Sequence, residues 1–289
     1  ALAIQQDAQV GDRAGEATTL NDIGVVYAYQ GRITDALTYF QRSLAIQQEI
    51  GDRAEEGVIL ANIGTVYPAL GLYTEALESL QQALVILQEV GNRPGEGTIL
   101  NSIGGVYQAQ GRYDEALTQF QQSLAIRREV GDRRGEGVTL NNIAAVYQAQ
   151  GRYDEALTQL QQALAIHREV GNRPTEGVTL NNIGEVYWAQ GRYTEALEHY
   201  QRAMTILQEV GNRAGEGGIL TNIGAVYQAQ GCYAEALKNY QQALAIHRQV
   251  GNLPMEGNTL NNIGEVYWAQ GRYPKALEHY RRALTLMQM

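Results

Sequence analysis

The chain has 289 residues, and its 22 Lys and Arg against 31 Asp and Glu leave a net charge of −9. An acidic chain repels phosphate backbones, which argues against nucleic acid as a partner. No apolar run approaches the roughly 20 residues that span a bilayer, the opening residues lack a basic-then-apolar signal pattern, and the lone Cys232 cannot close an intrachain disulfide. These features predict a cytoplasmic protein in a reducing compartment, without membrane or nucleic acid as partner.

The stretch Asn181–Tyr193, reading NNIGEVYWAQGRY, returns at Asn261–Tyr273. Looser copies begin at Asn21, Ala61, Asn101, Asn141 and Thr221, always at a spacing of forty residues. A self-similar unit at fixed period is the mark of a solenoid, in which each unit buries its apolar faces against its neighbours. The period divides residues 11–289 into seven repeats starting at 11, 51, 91, 131, 171, 211 and 251, the last one truncated. Residues 1–10 match the back half of a repeat and read as the second half of a truncated repeat's helix B. With no initiator methionine and no polar capping repeat, the chain reads as a piece of a longer array.

Within a repeat, Gly11-Asp12-Arg13 reads as a break between helices. Asp12, Asp52, Asn92, Asp132, Asn172, Asn212 and Asn252 are suited to cap the helix that follows, helix A. Pro94, Pro174 and Pro254 fall in its first turn, where a missing amide costs little. Glu16 and its copies set a carboxylate near the positive end of the helix dipole. Leu20, Ile23, Gly24 and Tyr27 form an apolar helical stripe. Gly31 suits the left-handed position that ends helix A, and Thr34, Thr74, Asp114, Asp154 and Thr194 are expected caps for helix B. Ala36, Leu37, Phe40, Ser43, Leu44, Ile46 and Ile50 again follow helical spacing. Gly24 and Ala36 would let the two helices approach closely, and Tyr27 and Phe40 would fill the space between one hairpin and the next. The glycines of the Gly57 position are expected to admit the preceding hairpin.

Leu20, Ile23, Gly24, Tyr27, Ala36, Phe40 and Ser43 fall at the spacing of the tetratricopeptide repeat signature. The chain resembles a tetratricopeptide array throughout, on the longer-repeat branch that includes Pins-type adaptors, kinesin light chain and bacterial signalling proteins. It departs from the signature in having Leu for Trp at Leu20, and Gln or Arg for Pro at Gln48. The resemblance implies an all-α fold: a right-handed superhelical solenoid of helix-turn-helix hairpins, with helix A lining the concave face.

On that face the sequence sets out an asparagine ladder: Asn62, Asn142, Asn182, Asn222 and Asn262 in one column, and Asn101, Asn141, Asn181 and Asn261 in the column beside it. Asn is a poor mid-helix residue, but a carboxamide both donates and accepts and can read a peptide backbone whatever its side chains. Similar families use inner-face asparagines in this way. The other reading is that the amides bridge adjacent helices or face water. Glu185 with Trp188, and Glu265 with Trp268, stand at i, i+3 and would suit a ligand Lys or Arg through a carboxylate and a cation–π face; alternatively each Trp packs on the next helix A beside a solvated Glu. His167, His247, His199 and His279 are too dispersed for a metal site and are read as surface residues. No catalytic constellation, cofactor motif or metal site stands apart from the repeat. The expected function is therefore a non-enzymatic scaffold that binds an extended peptide or protein segment along helix A. Head-to-tail self-association through uncapped ends and a sensor arm of a larger signalling protein are the alternatives.

Overall fold

A computed structural model describes residues 2–288, with side chains from residue 12 onward. Among these residues the chain is all-α. The A helices are α1 (Leu2–Tyr29), α3 (Arg53–Val66), α5 (Arg93–Ala109), α7 (Arg133–Ala149), α9 (Arg173–Ala189), α11 (Arg213–Ala229) and α13 (Leu253–Ala269). They alternate with the B helices α2 (Ile33–Ile50), α4 (Tyr73–Glu89), α6 (Tyr113–Glu129), α8 (Tyr153–Glu169), α10 (Tyr193–Glu209), α12 (Tyr233–Gln249) and α14 (Tyr273–Met287). Pro68 interrupts only the second repeat, where a short 3-10 turn, Tyr67–Leu70, follows α3.

Glycine in the left-handed region ends the helices, with φ of 73° at Gly31 and 77° at Gly51. Behind Gly31, Arg32 N–H donates to Tyr27 O at 2.9 Å and Gly31 N–H to Ala28 O at 3.0 Å, which satisfies carbonyls the helix end would leave unpaired. The following A helix is capped as expected at Asp52, Asn92, Asp132, Asn212 and Asn252, each accepting from the backbone three residues on. Asn172 makes no side-chain cap.

Two expectations about helix starts are corrected. Thr34, Thr74, Asp114, Asp154 and Thr194 do not cap helix B, because that helix begins two residues earlier than such caps would set it and its N-cap is the residue after the glycine: Arg32, Leu72, Arg112, Arg152 or Arg192. Arg32 is held by Asp35 at 2.7 Å and lies 4.2 Å over the Tyr27 ring, so its contacts run to side chains and no side-chain cap forms. Nor does the backbone break at Gly11: α1 runs continuously from Leu2 to Tyr29, with Asp12 inside it. A turn there gives up helical hydrogen bonds, and elsewhere the packing of a complete hairpin offsets that loss.

The chain divides into two compact units, Ala1–Val146 and Tyr147–Met289. In the first, Ala36, Leu37 and Phe40 of α2 bury against Ile59 and Ile63 of α3. The same arrangement recurs with Leu80, Ala83 and Ile86 of α4 against Ile99, Ile103 and Val106 of α5. In the second unit Ala236, Tyr240 and Leu244 of α12 meet Leu260, Ile263 and Val266 of α13. Each core layer thus joins one hairpin to the next, the nearest-neighbour pattern of a solenoid. Inside a hairpin the Gly24 position is filled by the ring opposite: a Cβ there would stand 2.6 Å from Phe40 and 3.2 Å from the Ala36 carbonyl. Tyr27 lies on the layer between α2 and α3 as expected, and also stacks within its own hairpin on Tyr39, at 5.3 Å between ring centroids.

The Gly57 position makes room for the helix B of its own repeat, not for the preceding hairpin. A Cβ on Gly57 would lie 3.1 Å from Ile86, and one on Gly217 2.7 Å from the His247 ring. This contact also corrects the surface reading of His167 and His247, which are buried. Burial pushes the His247 imidazole below its usual value, against opposition from Glu256 and the Gly217 backbone. His199 and His279 are half-buried against Tyr187 and Tyr267, at 5.2 and 5.4 Å.

The first-turn glutamate does more than face the helix dipole. From the second repeat on its carboxylate is largely buried and held by one or two arginines, while Glu16 is exposed. In the second unit Arg173 reaches Glu176 at 2.6 Å, and Arg168, from the preceding B helix, reaches the other oxygen at 2.9 Å. Arg173 also pairs with Glu209 at the far end of α10. In the first unit Arg128 holds Glu136 at 2.8 Å in the same way, and Arg93 joins Glu96 to Glu129. The Gln-or-Arg position that departs from the family signature is therefore the inter-repeat side of this clasp.

Candidate functional site

The face formed by successive A helices carries the polar columns. In the first unit Asn62 Nδ2 donates to Asn21 Oδ1 at 2.9 Å, and Asn142 Nδ2 to Asn101 Oδ1 at 3.0 Å. Thr139 also donates to Asn101 at 3.3 Å. In the second unit Asn222 Nδ2 donates to Asn181 Oδ1 at 2.9 Å. The rungs are diagonal: each runs from one column to the neighbouring column of the next repeat, so amides bridge adjacent helices. Asn141 is buried, while Asn182, Asn261 and Asn262 are half-buried. No asparagine stands at Ala61 or Thr221, and Thr221 instead donates to Gly217 O within its own helix at 3.1 Å.

Glu185 and Glu265 are drawn into this network. Asn181 donates to Glu185 at 2.7 Å and Asn222 at 3.3 Å. Asn261 donates to Glu265 at 2.9 Å, and Gln228 at 3.3 Å. Gln228 in turn accepts from the buried Tyr240 hydroxyl at 2.8 Å. Burial, with the Glu265 charge second, holds the Tyr240 hydroxyl well above its usual range, so it stays a donor. Trp188 and Trp268 are 43% and 62% exposed. Each indole stands one turn from its glutamate.

Clefts open along the same face. In the second unit a cavity of about 280 Å³ is lined by Asn181, Glu185, Asn222, Gly218, Leu207 and Met255. In the first, one of about 280 Å³ is lined by Val25, Ala28, Tyr29, Asn62 and Thr65, and another of about 230 Å³ by Thr65, Pro68, Ser102 and Gly105. Sequence reasoning missed Gly218, Leu207 and Met255. The visible signal was glycine at 218, where other repeats carry Thr, Val or Asn. Larger spaces, of about 410 and 390 Å³, lie away from the ladder and are lined largely by B helices.

Among the described residues no three His, Cys, Asp or Glu side chains gather as a metal-holding group, and no helix is long and apolar enough to cross a membrane. Hairpins of one size, joined by left-handed glycines and packed neighbour on neighbour, define a helical-repeat protein. The family model for the tetratricopeptide repeat matches residues 1–49, 55–129, 136–209 and 216–289, and the chain belongs to that family. No curated protein matches the chain in sequence. Solved structures of similar fold include aspartyl phosphate phosphatase F from Bacillus subtilis, at 15% identity and a TM-score of 0.79 over 100% of this chain and 74% of that one. The Rap conjugation gene regulator of plasmid pLS20, solved with the Phr* peptide, is 16% identical, with a TM-score of 0.69 over 92% of this chain and 72% of that one. The quorum sensor NprR from B. thuringiensis, in its apo form, is 19% identical, with a TM-score of 0.73 over 93% and 75%. At these identities the likeness is one of fold.

Proposed function

We propose that this protein is a non-catalytic interaction scaffold that holds an extended peptide along the helix-A face of its hairpins. The observation that carries the reading is the set of paired amides at the clefts. Each rung uses one donor and one acceptor, while a carboxamide pair has several more. Asn62, Asn181 and Asn222 line clefts. Pairing fixes their orientation, so a bound backbone meets donors and acceptors already in place, at a lower entropy cost. The ladder thus serves both readings made of it: it bridges helices, and the bridge preorganises the groove. The Phr* complex of the pLS20 regulator supports peptide capture by this fold. The pairs Glu185–Trp188 and Glu265–Trp268 would then favour a basic side chain at two points along the segment.

The test is to pan a displayed peptide library on the protein and titrate the selected peptides calorimetrically against the variant with Asn181, Asn182 and Asn222 all changed to Ala. Affinity is expected to fall at least about tenfold, the loss of one or two net hydrogen bonds. Unchanged affinity in a variant with native helical content would defeat the ladder reading.

A further inference from the structure

We infer that the cleft between α10, α11 and α12 is a second binding site, which takes an arginine side chain from another polypeptide. The starting point is the clasp on the buried glutamates. At three junctions between repeats the preceding B helix supplies an arginine whose Nε binds the glutamate's Oε1: Arg128 to Glu136 at 2.8 Å, Arg168 to Glu176 at 2.9 Å and Arg248 to Glu256 at 2.7 Å. At the junction of α10 and α11 the corresponding residue is Gln208. Glu216 Oε2 accepts from Arg213, but Oε1 has no partner among the described residues, and the side chain is only 6% exposed; Glu96, preceded by Gln88, is bound in the same one-sided way, whereas Gln48 donates to Glu56 Oε1 at 3.0 Å. A carboxylate oxygen without a cationic partner can still accept a charge-assisted hydrogen bond.

At Glu216 this vacancy coincides with a cavity. About 390 Å³ opens beside the carboxylate, walled by Met204, Leu220 and Ile246, with Gln208 and Gln242 adding amide groups. The apolar walls suit the methylene stem of an arginine, and the carboxylate suits its head. Guanidinium is favoured over ammonium because its planar fork reproduces the Nε contact seen at the filled junctions. Arg213, already on Glu216, does not bar a second cation, since Glu176 holds Arg168 and Arg173 together. The site lies apart from the asparagine ladder and does not depend on the peptide reading.

The experiment titrates N-acetyl-arginine N-methylamide against the protein labelled at its methionine methyls, and follows the Met204 resonance by NMR, assigned with Met204→Leu. The neutral citrulline counterpart is the control. A saturable shift is expected with arginine, weaker by at least about tenfold with citrulline, as for the loss of a charged partner. Gln208→Arg, which places inside the cleft the residue its sister junctions carry, is expected to abolish the shift in a fully folded protein, as is Glu216→Gln. Equal response to citrulline, or arginine binding that survives in Gln208→Arg, overturns the assignment. The variant with Asn181, Asn182 and Asn222 changed to Ala should leave the titration unaltered. A loss there would put the probe on the ladder face and would likewise overturn it.

Discussion

Gly184→Leu is expected to lower the free energy of unfolding by about 1–3 kcal/mol or more. It should appear as an earlier urea midpoint with an unchanged slope. An added Cβ would stand 2.5 Å from the Tyr200 ring, closer than van der Waals contact allows. The ring cannot step aside, because Tyr200 is 2% exposed and belongs to the packed interior of its hairpin. Close-packed interiors transmit such strain and do not absorb it. The neighbouring position supplies the contrast. Gly105 sits mid-helix, one residue beyond Gly104, the Gly184 counterpart of its own repeat, and nothing lies within 4 Å of its Cβ direction. Gly105→Ala is therefore expected to stabilise by about 0.5–1 kcal/mol through helix propensity and reduced unfolded-state entropy. If both substitutions destabilise alike, packing against the aromatic ring is not what holds glycine at 184.

Glu176→Gln should cost about 1–3 kcal/mol, because it removes the charge from two arginine hydrogen bonds. The full 3–5 kcal/mol of a broken buried pair is not expected, since Arg168 and Arg173 are 45% and 43% exposed and regain water. Burial alone would raise the Glu176 pKa, but hydrogen bonds from Arg168 and Arg173 outweigh it and hold the carboxyl below the ordinary range. A depressed carboxylate stabilises the fold above its unfolded pKa, and that contribution is lost as pH falls through the folded value. The difference between wild type and Glu176→Gln in thermal unfolding is thus expected to be full near neutrality and to shrink below about pH 4. A difference that is constant down to pH 3 would show that shape, and not charge, sets the cost.

Much of the fold was legible in the residues because it rests on short-range rules. Left-handed glycine ends a helix, Asp or Asn caps the next one, and apolar residues recur at helical spacing. Those rules act within a turn or two, so a forty-residue period exposes them seven times over. The helix-B caps were misplaced for a local reason. Thr34 and its counterparts are good capping residues in the abstract, yet the glycine turn places Arg32 at the helix start, and Arg32 is engaged with Asp35 and Tyr27. The asparagine ladder was visible as columns, but not as rungs. Its partners, such as Asn62 and Asn21, stand 41 residues apart and in different columns, an offset that only the stagger of stacked helices sets.

The sequence by itself determined the class of fold, the repeat length and the glycines that end the helices, because propensity, capping and periodicity act along the chain. Only the tertiary structure decided that His167 and His247 are interior, that first-turn glutamates are held by arginines, and that Glu216 lacks the inter-repeat arginine that Glu136, Glu176 and Glu256 have. These depend on which side chains meet across helices, over separations such as the 36 residues from Arg173 to Glu209. Side chains in one column share a sequence position, but each meets a different neighbour. Gln at residue 208 is unremarkable along the chain, where Gln also stands at 48 and 88; the cavity of about 390 Å³ beside it exists only because α10, α11 and α12 meet there.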